Sequence, residues 1–274
     1  MAIPCLRASG SRHRLLEALG LMPRYVLRVE YDGAPFVGWQ RQAEGLSVQQ
    51  VIEEAASALN RGRPVEAVAA GRTDAGVHAA AQVVHLDLDR EVEPGTVRDA
   101  LNFHLRAHPV SVLAAGLAPP DFHARFSAIG RAYRYRILDR RSPPALDRGR
   151  VWHIPRPLDA RAMAEAARVL VGRHDFSSFR AASCQASGPV RTLDRLEVQR
   201  VGEEIVIEAA ARSFLHYQVR TIAGTLRRVG EGSWTAADVA RILAAADRRL
   251  AGETAPAAGL TLTSVTYPDG LCPV

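Results

Sequence analysis

The sequence predicts an α+β fold in which two similar halves share one continuous, mostly antiparallel sheet flanked by helices. Three observations predict it. Apolar residues alternate at a period of two along several short segments. Apolar stripes at helical spacing, with capping residues at their heads, lie between them. The strand-helix-strand-strand-helix-strand rhythm of the first half then returns in the second. At 274 residues the chain can bury a sizeable core, as one large domain or two that fold together.

Between Tyr25 and Tyr31, residues Tyr25, Leu27, Val29 and Tyr31 share one face of a strand. A loop over 32–45 follows. Ser47 and Gln50 have the spacing of a capping box, at the head of a helix whose stripe is Val48, Val51, Ile52, Ala55 and Leu59. A short strand near 65–70 leads into "AGRTDAGVHA", after which Val84, Leu86 and Leu88 alternate with His85, Asp87 and Asp89. A helix over 94–105, with Pro94 in its first turn, and a strand over 110–117 complete the first half.

In the second half a strand is expected over 132–138, with Tyr133, Tyr135 and Ile137 on one face and Arg134 and Arg136 on the other. A helix capped by Asp159 and closed by Gly172 comes next. Strands near 193–201 and 204–211, helices near 217–229 and 235–246, and a last strand over 261–267 follow. The Pro- and Arg-rich stretch over 139–150 is a loop. The division is therefore an N-terminal extension over 1–21, a first half over 22–120 and a second over 121–274.

With 47% apolar and 23% charged residues, and no apolar run near the ~20 residues of a membrane helix, the chain is expected to be a soluble cytoplasmic enzyme or binding protein. A net charge of +6 favours a polyanionic partner. All 35 basic residues are arginine, which excludes a lysine Schiff base and a phosphate-loop lysine. Cys5, Cys184 and Cys272 are far apart and never form CxxC, so neither a disulfide framework nor a zinc knuckle is indicated. Residues 1–21 carry Arg7, Arg12 and Arg14 but no continuous apolar segment, and are expected to be disordered or partly helical.

On its own, "GRTDAG" is first of all a turn, with Gly71 and Gly76 allowing a tight bend and Asp74 bonding its own backbone. It is neither a Walker A loop nor a GxGxxG dinucleotide turn. A metal site would pair Asp74 with His78 and recruit His85 or His123, but no three-ligand spacing supports it. Tyr133 and its neighbours read as core against solvent, or as an aromatic platform for a nucleic-acid base with arginines beside it. Arg220, at the edge of the stripe Val219, Ile222, Ala223 and Leu226, either snorkels to water or pairs with an interior carboxylate and keeps it ionised.

Six segments, "VEYDG..F.GWQRQ", "AGRTDAGVHA..QVVH", "DFHARFSA...RAYRYRI", "DFSSFR", "R.FLHYQVR.I.G" and "GLTLTSVTYP", occur in one order over about residues 23–268. Together they resemble the TruA family of tRNA pseudouridine synthases. The resemblance implies two ferredoxin-like halves of the pseudouridine synthase fold. It also implies an isomerase, working without cofactor or metal, that converts uridine to pseudouridine at positions 38, 39 and/or 40 of the tRNA anticodon stem-loop.

Carried over residue by residue, the resemblance makes Asp74 the catalytic carboxylate, expected as nucleophile at C1', with addition to C6 or removal of a C2' proton as the other chemistries open to it. Tyr133 is then the substrate-binding tyrosine and Arg72 the base-flipping arginine. Arg220 is the partner of Asp74, Leu260 the pocket floor, and Arg41 and Arg125 are candidate RNA contacts. A homodimer is implied, with tRNA bound across both subunits. Two departures stand out: Arg106 occupies a position where the family commonly has proline, and Ala132 one where a second basic residue is frequent. The rival expectations are a catalytically silent RNA-binding protein of the same fold and a metal-dependent hydrolase using Asp74 with His78.

Overall fold

Tyr25, Leu27 and Val29, fully buried on one face of β1 (Arg24–Tyr31), begin the first core. A computed structural model describes residues 22–274, so the extension over 1–21 lies outside the described residues. Helix α1 (Val48–Leu59) starts where the Ser47 hydroxyl accepts the Gln50 N–H at 3.2 Å. The Gln50 amide reaches forward to Glu54 and not back to Ser47, so only one half of the expected capping box forms. The two-residue strand β2 (Val68–Ala69) precedes β3 (His78–Asp87). Helix α2 (Pro94–Leu105) has Pro94 in its first turn, and both bonds of the Asn102 amide pin it to Val112 of β4 (Val110–Leu117). His85, expected opposite the core residues of β3, is itself buried because residues 118–128 cover that face with Phe122, Ala124 and Ala128.

The second half begins with β5 (Gly130–Leu138) and the short β6 (Trp152–His153), which runs parallel beside it. The Asp159 carboxylate accepts the N–H groups of Arg161 and Ala162 and caps α3 (Ala160–Arg168). That helix does not run on to Gly172. Tight bonds from Leu170 to Ala167 and from Val171 to Arg168 end it, and Gly172 with φ of 103° opens β7 (Gly172–Asp175) instead. Pairing with β7 also starts β8 (Val190–Val201) three residues earlier than the expected 193. β9 (Glu204–Ala211), α4 (Gln218–Gly230), α5 (Ala236–Ala245) and β10 (Leu260–Thr266) complete the chain of elements.

The sheet runs β4-β1-β3-β10-β5-β9-β8-β7, with β2 beside β3. Each half thus repeats one order, β4-β1-β3-β2 in the first and β10-β5-β9-β8 in the second. The join is parallel: Thr261 and Leu262 of β10 pair with His78 and Ala79 of β3, while β2 pairs farther along with Val84 and His85. One edge of β3 is therefore divided between β2 and β10. The five α-helices of the described residues lie on one face of the sheet, α1 and α2 over the first core and α3 to α5 over the second. Leu260 packs in the second core, Leu262 in the first, and Tyr133 against both.

Candidate active site

Because β2 is only two residues long, the chain leaves the sheet at Ala70 and returns at His78, in the gap where the two halves meet. The resulting loop is held by its backbone. The Trp39 N–H donates to the Thr73 carbonyl at 3.0 Å, the Gly76 N–H to Phe36, and the Val77 N–H to Asp74. Tyr31 and Thr73 share a hydroxyl hydrogen bond of 2.8 Å, and the Gln82 amide donates to the Gly71 carbonyl. Gly38 makes the close approach possible: with φ of 111°, a Cβ there would lie 2.7 Å from the Thr73 carbonyl oxygen. Complete burial pushes the Tyr31 phenol up to about 12, so this strut stays neutral.

Asp74 presents its carboxylate at the tip, with a side chain 20% exposed. Arg220 Nη1 donates to Oδ2 at 3.2 Å, and His216 Nε2 stands 3.3 Å from Oδ1. Arg220 is fixed in turn, its Nε donating to the Ala255 carbonyl at 2.7 Å and its Cζ lying 4.7 Å from the centre of the Tyr217 ring. Tyr217 precedes α4 in the left-handed region, φ 66°, a conformation strained for an aromatic residue and concentrated at functional sites. That backbone turn places His216 and Arg220 on the same carboxylate.

Tyr133 extends from β5 where the two cores meet, its ring edge-on to Phe214 at 5.2 Å between centroids. Burial raises its phenol above the ordinary tyrosine range, and the charge of the Asp74 carboxylate adds to the rise. Leu260, buried at the start of β10, pairs with Tyr135 in the next strand. Arg134 and Arg136 lie on the far face and are taken by Glu208 and Glu204, so they do not flank the Tyr133 ring as the platform reading required.

Arg72 is exposed in the same loop and, among the described residues, has no carboxylate at ion-pair distance. Arg41 stands apart, between Glu53 and Glu54 at 3.4 and 3.7 Å. Arg125 is exposed on the loop over 118–128, and Arg131 ties that loop to the site: its guanidinium donates to the carbonyls of Ala70, Arg125, Ala128 and Arg212. The histidines weighed as metal ligands are engaged elsewhere, His78 with Asp32 and Gly149 and His85 with the Ala124 N–H. Among the described residues no group of three or more His, Cys, Asp or Glu converges to hold a metal ion.

A family model described as tRNA pseudouridine synthase matches residues 28–127 and 166–268, which include Asp74, Arg220 and Leu260. The chain belongs to the tRNA pseudouridine synthase family. Among curated relatives, tRNA pseudouridine synthase A of Paramagnetospirillum magneticum is 62% identical over 246 residues, 90% of this chain and 96% of that one. The protein of the same name from Beijerinckia indica is 62% identical over 248 residues, 90% of this chain and 95% of that one. A solved Cbf5-Nop10-Gar1 complex chain aligns with 87% of this chain and 48% of its own, at 11% identity and a TM-score of 0.35, too distant to carry an argument.

For a tRNA pseudouridine synthase the notable feature is how few groups surround the carboxylate. Among the described residues, Asp74 faces one guanidinium and one imidazole, with the Tyr133 phenol near enough to feel its charge. Sequence reasoning takes Arg220 from "SFLHYQVR" and passes over Phe214, His216 and Tyr217. Three aromatic or imidazole side chains just ahead of an apolar helix are the signal that could have found them. Arg131 gives no such signal, because its four carbonyl partners are scattered along the chain. No helix among the described residues is long and apolar enough to cross a membrane.

Proposed function

We propose that this family member isomerises uridine to pseudouridine at positions 38, 39 and/or 40 of the tRNA anticodon stem-loop. The observation that carries the reading is the Asp74 carboxylate, held by Arg220 at 3.2 Å on the loop between β2 and β3, with the Tyr133 phenol close enough to feel its charge. The reaction breaks the N1–C1' bond and forms C5–C1'; a proton leaves C5 and one is gained at N1. Electrons balance within uridine, so the chemistry requires no redox cofactor.

Asp74 is assigned as the nucleophile at C1', and Arg220 as the cation that orients it. Tyr133 packs on the uracil, and its raised pKa suits a neutral phenol that can donate a hydrogen bond and is a poor base at neutral pH. Leu260 floors the pocket. Arg72 enters the stack that the flipped uridine vacates, and Arg41 and Arg125 contact the RNA backbone. The halves over 22–120 and 121–274 each supply part of the site. The working form is a cytoplasmic homodimer that binds tRNA across both subunits, which sedimentation velocity with and without tRNA would check.

The direct assay is tritium release from tRNA labelled at uracil C5. Release by the wild-type protein, unaffected by EDTA, is expected. A protein that binds tRNA and releases none would sink the reading and leave an RNA-binding role.

A further inference from the structure

Asp74 has a partner on each carboxylate oxygen, and the assignment above uses only one of them. Arg220 takes Oδ2, whereas Oδ1 faces His216 Nε2 at 3.3 Å. The two partners are held differently. Arg220 is 13% exposed, anchored to the Ala255 carbonyl and covered by the Tyr217 ring. The His216 side chain is 36% exposed and rests on the Tyr217 ring at 3.9 Å between centroids. Its backbone is fixed, since its carbonyl accepts the Ala181 N–H at 2.9 Å. Oδ2 is thus bound to an anchored, largely buried cation, and Oδ1 lies on the more open side beside an imidazole packed on Tyr217.

A carboxylate held through one oxygen rotates about its Cβ–Cγ bond, and a nucleophile that rotates spends little time in line with its target. We propose that His216 is a positioning residue for Asp74. With its N–H on Oδ1 it fixes the plane of the carboxylate, in the free protein and with the nucleotide bound. Apo contacts of this kind are often long and tighten with substrate, which fits the 3.3 Å approach. The strained Tyr217 backbone supports the assignment. It costs stability, and what it provides is the turn that sends His216 and Arg220 to opposite oxygens of one side chain.

This inference rests on reading Asp74 as the nucleophile, so the test runs both side by side. Full-length wild type, Asp74→Ala, His216→Leu and His216→Gln are assayed for tritium release over a range of tRNA concentrations. His216→Leu is expected to lower kcat about tenfold while KM for tRNA stays within about twofold. His216→Gln is expected to recover most of that loss, because its amide N–H reaches the same oxygen. Wild-type kcat in His216→Leu overturns the inference. So does an equal loss in both variants, which would make bulk the only requirement, or a raised KM at unchanged kcat, which would make His216 an RNA contact. An active Asp74→Ala overturns the proposed function itself; an inactive Asp74→Ala beside an unimpaired His216→Leu overturns the positioning role alone.

Discussion

The β2–β3 connection and the β8–β9 connection occupy the same place in the two halves, and they are built in opposite ways. β8 and β9 pair from Leu193 with Ala211 to Val201 with Glu204 and turn through Gly202 and Glu203. β2 keeps only two pairs, and the chain then runs outside the strands from Ala70 to Val77. A strand can be shortened this far only if its partner's exposed edge is covered by something else. β10 supplies the cover by pairing with His78 and Ala79 of β3. One half therefore keeps its hairpin as structure, while the other exchanges most of a strand for a loop that carries Asp74.

The sharpest way to break the contrast is to remove the acid from each connection. Asp74→Ala is expected to lower tritium release by about 10⁴-fold or more, with tRNA binding and circular dichroism retained. Glu203→Ala, in the matching turn, is expected to leave turnover unchanged.

A glycine in each region extends the comparison to stability. Gly38→Ala meets the Thr73 carbonyl in a backbone region closed to alanine, and is expected to cost about 3 kcal/mol and to disturb the loop. Gly202→Ala, with φ of 60° and open space around it, is expected to cost about 1 kcal/mol and leave activity intact. Urea denaturation of both variants measures the difference.

Acid is expected to separate the halves next. Burial, with Arg24 and His123 nearby, holds the His85 imidazole down at about 4, and its Nδ1 accepts the Ala124 N–H. Between the ordinary histidine value and pH of about 4, the unfolded chain binds a proton there that the folded chain refuses, so stability falls as pH falls, by on the order of 3 kcal/mol. Asp139 in the second half behaves differently. Burial pushes its carboxyl up, but Arg200 and the Leu158 N–H more than offset that and leave it lowered. Its contribution is complete above the ordinary aspartate value and is lost only at lower pH. Hydrogen exchange at about pH 5 should therefore show β3 and residues 118–128 opening before β8 and β9; simultaneous opening would refute the distinction.

The smallest expected effect concerns two exposed arginines of the first half. Arg72→Ala should reduce turnover by about 10-fold or more, whereas Arg41→Ala, whose guanidinium is already engaged by Glu53 and Glu54, should change it by less than about threefold. Equal losses would place the RNA path across α1 as well as along the loop.

What is legible in the chain follows the same division. Tyr25 to Tyr31 announces its strand because one face must be apolar, and the caps Ser47 and Asp159 announce helices because orphan N–H groups need local acceptors. β7 escapes because Gly172–Asp175 is too short and polar to alternate, and β10's parallel seat beside β3 escapes because register across about 180 residues leaves no local mark. The contact between Asp74 and Arg220 spans 146 residues, and chain position alone could not find it; the resemblance named both. His216 had neither aid, since a histidine ahead of a helix has many ordinary uses and its left-handed neighbour is visible only in three dimensions.

The parallel seam between β3 and β10 also orders the folding of the molecule. As the chain leaves the ribosome, the first half can close its own core around α1 and α2, but part of the β3 edge stays unpaired until residues 260–266 arrive. The strand that completes the sheet comes after every other described strand, and it brings Leu260 into the second core and seats Leu262 opposite Tyr133. Until then Asp74 sits on a loop with one wall missing. Chains made only as far as α5, with their open β3 edge, are the ones that most need protection from pairing with one another.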